Sequence, residues 1–311
     1  MHLGEVVPPV AARRRSMSPV LRRCAGAARL GVMRILITND DGVDAPGLRA
    51  LAGAATGVGH DVVVAAPVTE ASGSSAAMTA VEEGGRIAVE RRDLAGVADV
   101  PVYAVAASPA FIVLLGLREA FGAAPDVVLS GINRGANAGA AILHSGTVGA
   151  TLTASHAGVH GLAVSLDVLT PAVATAASGG AAIAALDRVD DERRHWDSAA
   201  DLAVRLLTTL TGTPPGTVFN LNVPDLPADE IRGLRQTGLA RFGQVQVSIA
   251  EAGEGFVRTA VEAVEEPVEP GTDVAGLADS YATVTPIRAP GEARDVRLHL
   301  PAIPAQRTAG R

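Results

Sequence analysis

Apolar residues in this chain fall in short dense runs separated by glycine-rich polar loops, and the spacing of the runs alternates between strand and helix. The first, Arg34-Ile-Leu-Ile-Thr-Asn39, has the length of a strand and is apolar enough to lie buried on both faces of a parallel sheet. A helix is predicted next. Pro46 and Gly47 open it, Leu48, Leu51 and Ala52 supply its apolar stripe, and Gly57 and Gly59 close it. A strand at 61–66 completes a βαβ unit. The alternation then predicts strands at 102–105, 126–129, 162–166 and 218–223, and helices at 109–121, from about Thr147, and at 199–210. Residues 78–89 read as an antiparallel hairpin turning at Gly84 and Gly85, an excursion from the sheet suited to an oligomer arm.

Strands alternating with helices of this length imply an α/β fold with a doubly wound, mostly parallel, Rossmann-like sheet, whose ligands sit beyond the carboxyl ends of the strands. The catalytic core is expected over 33–225, interrupted near 168–196 by an Ala/Gly-rich and then charged stretch read as a mobile insertion. Residues 226–311 read as a strand-rich segment serving oligomerisation, with an Arg/Pro tail. The first 32 residues, with Arg13, Arg14, Arg15, Arg22 and Arg23, lack the apolar core of a secretory signal and are read as a disordered extension.

Composition narrows the chemistry. At 311 residues and 48% hydrophobic, the chain can bury a large core without covalent staples. Cys24 is the one cysteine, so no disulfide framework, CxxC pair or thiolate zinc cage can form within the chain, which suits a reducing cytoplasm. There is no lysine: all 26 basic residues are arginine, which excludes a P-loop, a Schiff-base enzyme and a protein kinase. The net charge of −7 and the scattered arginines exclude the basic stripe of a nucleic-acid binder. No uninterrupted apolar run reaches the length of roughly 18 residues needed to span a membrane.

Asn39-Asp40-Asp41-Gly42 follows the first strand directly, so the topology points two adjacent carboxylates into the ligand crevice. Neighbouring acids repel each other unless one takes a proton or a cation sits between them, and oxygen-only ligands select a hard divalent ion such as magnesium or manganese. Taken alone, the same residues also suit a turn and a helix cap. Three more polar segments end at the same edge of the sheet. The loop after the second strand carries Ser72-Gly73-Ser74-Ser75. Ser130-Gly-Ile-Asn133-Arg-Gly-Ala-Asn137-Ala-Gly139 offers two amide side chains among closely spaced glycines, which let backbone N–H groups approach an anion. His144-Ser145-Gly146-Thr147 opens a helix, whose free amides and dipole favour phosphate.

These motifs, with Val284-Thr285-Pro286 near the end, resemble the SurE family of survival-protein 5'/3'-nucleotidases over roughly residues 33–290. The resemblance implies a SurE-type three-layer fold and a metal-dependent phosphomonoesterase that cleaves nucleoside 5'- and 3'-monophosphates. It further implies one divalent metal ion per subunit, magnesium or manganese, bound by Asp40, Asp41, the Ser72 hydroxyl and the Asn133 side-chain oxygen, with Asp40 and Asp41 catalytic. Asn39, Asn137, Ser145, Gly146 and Thr147 are the implied phosphate-binding residues, and a homodimer or homotetramer with exchanged C-terminal segments is the implied assembly. Direct attack by water, with a covalent aspartyl-phosphate as competitor, is the expected mechanism. The chain departs from the family's commoner pattern at Val68-Thr69-Glu70-Ala71, where a basic residue is usual, at His144, where Tyr is usual, and at Ser108-Pro109-Ala110-Phe111.

Other signals carry less. His156 and His160 stand four apart on an expected helix, a metal-like spacing with no carboxylate to complete a zincin pattern. No GxSxG elbow or GxGxxG fingerprint is present. The rival from another class is a non-catalytic nucleotide sensor that uses the same crevice.

Overall fold

The computed structural model describes residues 31–168, 191–241, 245–253, 255–263 and 268–292, together with 295, 297 and 299. The first 30 residues and 169–190, where the terminal extension and most of the insertion were expected, lie outside the described residues.

Strand β1 (Arg34–Thr38) leads to α1 (Pro46–Gly57) and β2 (Asp61–Pro67). A two-stranded hairpin, β3 (Glu82–Glu83) and β4 (Arg86–Ile87), turns at Gly84 and Gly85 as the sequence predicts. There follow β5 (Val89–Leu94), β6 (Val97–Val105), α2 (Pro109–Leu117), β7 (Val127–Arg134), α3 (Gly146–His156), β8 (His160–Asp167), α4 (Trp196–Thr211) and β9 (Val218–Pro224). The remaining elements are β10 (Leu234–Gln236), β11 (Val245–Gly253), β12 (Phe256–Ala263), α5 (Asp273–Ala278) and β13 (Ala282–Ile287).

Nine strands form one sheet in the order β10-β13-β9-β8-β7-β1-β2-β6-β5. From β9 to β6 every pairing is parallel, while β5 lies antiparallel on one edge and β13 antiparallel against β9 on the other side. The chain runs outward from β1 through β2 to β6, then returns to β7 on the opposite side of β1. The order of the sheet therefore reverses between β1 and β7, the place where an open α/β sheet leaves a crevice at its carboxyl edge.

Two cores flank the sheet. On one face α1 and α4 cover Ile35, Ile37, Leu129, Leu162 and Leu221; on the other, α2 and α3 cover Leu36, Val63, Val105 and Val128. The burial follows the sequence spacing: Leu48, Leu51, Ala52 and Ala55 of α1 recur at helical intervals, and every residue of β9 is buried, as befits an interior strand.

The structure differs from the sequence reading in four places. The strand expected at 102–105 extends back to Val97 and pairs with β5, whose first five residues are exposed. An edge strand in water carries no apolar alternation to reveal it. The second helix ends at Leu117 rather than near residue 121, because Glu119 turns into left-handed backbone (φ 66°) and swings Phe121 into the core, 5.2 Å from the ring of Tyr103. His156 ends α3 while His160 begins β8 and donates to the Thr213 carbonyl, so the two do not share a helix. Finally, Asp191–Arg193 is a 3-10 turn, and Arg194, with 4% of its side chain exposed, pairs with Asp191 at 3.0 Å and Asp225 at 3.1 Å. The last six residues of the expected mobile insertion are thus anchored.

Leu210 is fully buried in α4, remote in sequence from every polar loop. Leu210→Ala is expected to lower unfolding stability by about 2–5 kcal/mol in chemical denaturation.

Candidate active site

The crevice at the β1/β7 reversal is built from four loops. Asn39 is fully buried and its side chain is spent inside the first of them: Nδ2 donates to the Gly42 carbonyl at 2.9 Å and Oδ1 accepts from the Gly42 amide at 3.2 Å. It braces the turn that presents Asp40 and Asp41. The second loop is pinned to the first by the Ala71 amide, which donates to the Asp40 carbonyl at 2.7 Å.

Asp40 is 4% exposed and lies against the N-terminus of α3. Its carboxyl accepts from the Thr147 hydroxyl, and the main-chain amides of Gly146 and Thr147 also bond to it. Burial nevertheless dominates and raises its pKa. A side chain on Gly146 would stand 2.8 Å from Asp40 Oδ2 and 2.6 Å from Ser74 Oγ, so only glycine admits this approach. Asp41 accepts from the Arg134 amide at 3.3 Å. Burial, then the neighbouring Asp40 charge, pushes it up to about 7 against the opposing amide and charge of Arg134, and the Glu70 charge adds to the rise. Arg134, distant in sequence, is thus brought beside Asp41.

Ser72 donates its hydroxyl to Glu70. Asn133 uses its Nδ2 on the Gly135 carbonyl at 2.8 Å, which orients its Oδ1 as an acceptor. Ser145 caps α3 by accepting from the Val148 amide at 3.1 Å. Asn137, expected to bind phosphate, is 8% exposed, and its Nδ2 donates to Ser165 Oγ at 2.9 Å. His144 is exposed and adjoins the cap. The structure therefore gathers Asp40, Gly146 and Thr147 into direct contact and brings Asp41 to the Asn133–Arg134 strand end. Asn39 and Asn137 spend their side chains on bracing.

Sequence reasoning missed three participants, Asn220, Asn222 and Asp273, and quoted Ser74 only as part of its polar loop. Ser74 has a buried hydroxyl with no hydrogen-bond partner among the described residues. Asn220 and Asn222 of β9 both donate to the Asn137 carbonyl, at 2.7 and 3.1 Å. Asp273 accepts from the Gly139 amide at 2.8 Å. A signal did exist for the asparagines: two amides at alternate positions inside an otherwise apolar strand are costly unless they are bonded.

Among the described residues no three His, Cys, Asp or Glu side chains cluster, so the donors on hand are two carboxyls and neutral oxygens. Two buried like charges with raised pKa values and an orphaned hydroxyl beside them form a site short of positive charge. Such an all-oxygen set fits a hard divalent cation.

The family model "Survival protein SurE" matches residues 35–246. The chain belongs to the SurE family. A relative called 5'-nucleotidase SurE in Methylocella silvestris is 35% identical, covering 82% of this chain and 93% of its own. The 5'/3'-nucleotidase SurE of Escherichia coli O127:H6 is 33% identical over 82% of this chain and 90% of its own. The crystal structure of the SurE protein from Aquifex aeolicus superposes with a TM-score of 0.63 at 28% identity, covering 84% of this chain and 96% of that one. The doubly wound sheet, flanked by helices on both faces, is the SurE-type three-layer fold.

The raised acids set a pH dependence. With metal withheld, folded Asp41 keeps a proton to about 7, while an unfolded aspartate releases it near the ordinary 3.8. The folded state binds more protons across that window, so its stability falls as pH rises from about 4 to 7. The melting temperature of chelator-treated protein should decline over this range, and Asp41→Asn should flatten the decline. A wild-type melting curve independent of pH would refute the assignment.

Proposed function

We propose that this chain is a metal-dependent phosphomonoesterase that hydrolyses nucleoside 5'- and 3'-monophosphates to nucleoside and phosphate. The observation that carries the proposal is the pair of acids at the β1/β7 reversal whose pKa values burial raises, Asp40 against the N-terminus of α3 and Asp41 against the end of β7. A mere binder of an anionic nucleotide gains nothing from two carboxyls facing its phosphate; a site that also takes a cation does. Membership of a family whose relatives are named nucleotidases adds support.

Asp40 and Asp41, the Ser72 hydroxyl and Asn133 Oδ1 would hold one divalent ion, magnesium or manganese. When bound, that ion neutralises phosphoryl charge and makes nearby water more acidic. The protein's own groups do the rest. Thr147 and the α3 amides fix the Asp40 carboxyl in one orientation, and the Arg134 amide does the same for Asp41. The Ser145–Gly146–Thr147 terminus contributes a dipole that favours the added negative charge of an in-line displacement by water. The burial of Asp40 takes its carboxyl out of bulk water, which strengthens each of its interactions. Because Asn39 and Asn137 spend their side chains internally, their part is to hold the turn and the glycine-rich loop in place.

The proposal extends to assembly and setting. A homodimer or homotetramer is supported by the β11–β12 pair, which forms its own two-stranded sheet and exposes Ile249, Phe256 and Val257. A cytoplasmic setting is supported by the single cysteine. No helix among the described residues is long and apolar enough to cross a membrane.

Purified protein should release phosphate from 5'-AMP and 3'-AMP with added manganese or magnesium and stop on chelation. Asp40→Asn and Asp41→Asn should each lower kcat/KM by more than the roughly 10–100-fold typical of losing an outer partner of a metal ligand. Phosphate release undiminished in the doubly neutralised protein would end the proposal. Hydroxylamine trapping separates direct attack by water, which leaves no acyl-phosphate, from the covalent route, which does.

A further inference from the structure

Asp273 has so far been given only its bond to the Gly139 amide, yet it is fully buried and holds amides far apart in sequence. It opens α5, whose capping is already provided by the Thr272 hydroxyl, accepting from the Ala275 amide at 3.3 Å. One Asp273 oxygen, Oδ2, accepts from the Gly139 amide at 2.8 Å, a residue 134 positions earlier. The other, Oδ1, accepts from the Ala240 amide and the Val274 amide, both at 2.9 Å. Helix capping calls for one local acceptor. A carboxyl that takes amides from three separate segments is a brace between them.

The loop it reaches is the glycine-rich one. Its residue Asn137 is held from the opposite side: the Asn137 amide donates to Asn222 Oδ1 at 2.8 Å, and its carbonyl accepts from both β9 asparagines. Residues 137–139 are therefore held by side chains of β9 at Asn137 and by Asp273 of α5 at Gly139. Immediately after them a 3-10 turn (Gly139–Leu143) leads to His144 and the Ser145 cap. Movement at Gly139 would be passed along this short connection to the α3 terminus.

We infer that Asp273 is a positioning residue for the anion-binding loop, holding the backbone at Gly139 so that the 137–147 segment keeps its phosphate-accepting shape. Its kinetic consequence rests on the phosphomonoesterase reading above; the clamp itself does not. Asp273→Asn is the direct probe. It preserves volume but turns one acceptor oxygen into a donor that meets an amide N–H, leaving a buried donor unsatisfied.

In that variant, amide hydrogens across 137–143 should exchange about tenfold faster or more, while those of β1 and α4 keep their protection. The inhibition constant of inorganic phosphate and the KM for AMP should rise about tenfold, with manganese affinity by calorimetry within about twofold of wild type. Asp273→Ser, which keeps a short acceptor for the Val274 amide but cannot reach Gly139, should give the same split if the asparagine variant does not fold. Unchanged loop exchange and unchanged phosphate inhibition in a folded variant would overturn the inference. So would a parallel loss of manganese affinity, phosphate affinity and β1 protection, which marks a merely structural role. Wild-type protein that neither cleaves AMP nor responds to phosphate would refute the phosphomonoesterase reading instead, and the exchange data alone would then decide the clamp.

Discussion

Two carboxyl groups, adjacent in sequence and drawn out of water together, repel each other, and much of the surrounding architecture follows from how that repulsion is contained. Asp40 is turned onto the end of α3, where the Thr147 hydroxyl and two free amides meet it. This contact requires a glycine at 146, and the same tight packing of the Ser72–Ser75 loop on α3 requires one at 149, where a side chain would stand 2.2 Å from the Ser75 carbonyl. Asp41 is turned the other way, toward the end of β7. The two acids thus face different elements, α3 and β7, at the reversal of strand order between β1 and β7.

Holding this arrangement takes polar groups in places that would otherwise be apolar. Asn220 and Asn222 interrupt β9, Ser165 interrupts β8, and Asp273 is buried in the opening turn of α5; each bonds to the 137–139 loop. A second network runs along the same edge of the sheet. The guanidinium of Arg134, whose amide serves Asp41, pairs with Asp191 at 3.2 Å, and Asp191 pairs with Arg194, which reaches Asp225 just beyond β9. Removing one member of such a buried set strands the others, so each constrains its neighbours more than its own bond energy suggests. The loops of the crevice are rigid because their supports come from the core.

Much of this was legible in the chain. The run Ile35-Leu36-Ile37 with two acids after it located the first strand and its mouth, and Ser145 before a helix marked the cap that the structure shows. Local rules sufficed there because strand, turn and cap are each decided within a few residues. What stayed hidden depends on sequence-distant pairing. Nothing near Asp273 names Gly139 as its partner, and nothing near Asn137 says that its amide will be spent on Ser165. The β5 edge was missed for a different reason: Val89-Glu-Arg-Arg-Asp-Leu94 is solvated on both faces and has no pattern to read. The register of β13 against β9, which returns the C-terminal segment to the main sheet, is likewise a matter of long-range packing rather than of local sequence.

Glu70 shows how a single residue bears on the whole site. It is a third carboxyl near the paired acids, and it draws the Ser72 hydroxyl toward itself and adds to the rise in the Asp41 pKa. With Arg134 already bonded to Asp191, the nearest fixed positive charge is shared, and the crevice carries more negative charge than its own groups balance. Such a site has two low-energy conditions, one in which protons sit on the acids and one in which a cation does, and the two compete for the same oxygens. Occupancy by a cation is then tied to pH more tightly here than in a site with a neighbouring base. Glu70 needs no contact with a ligand to have this effect, because its charge reaches Asp41 through space.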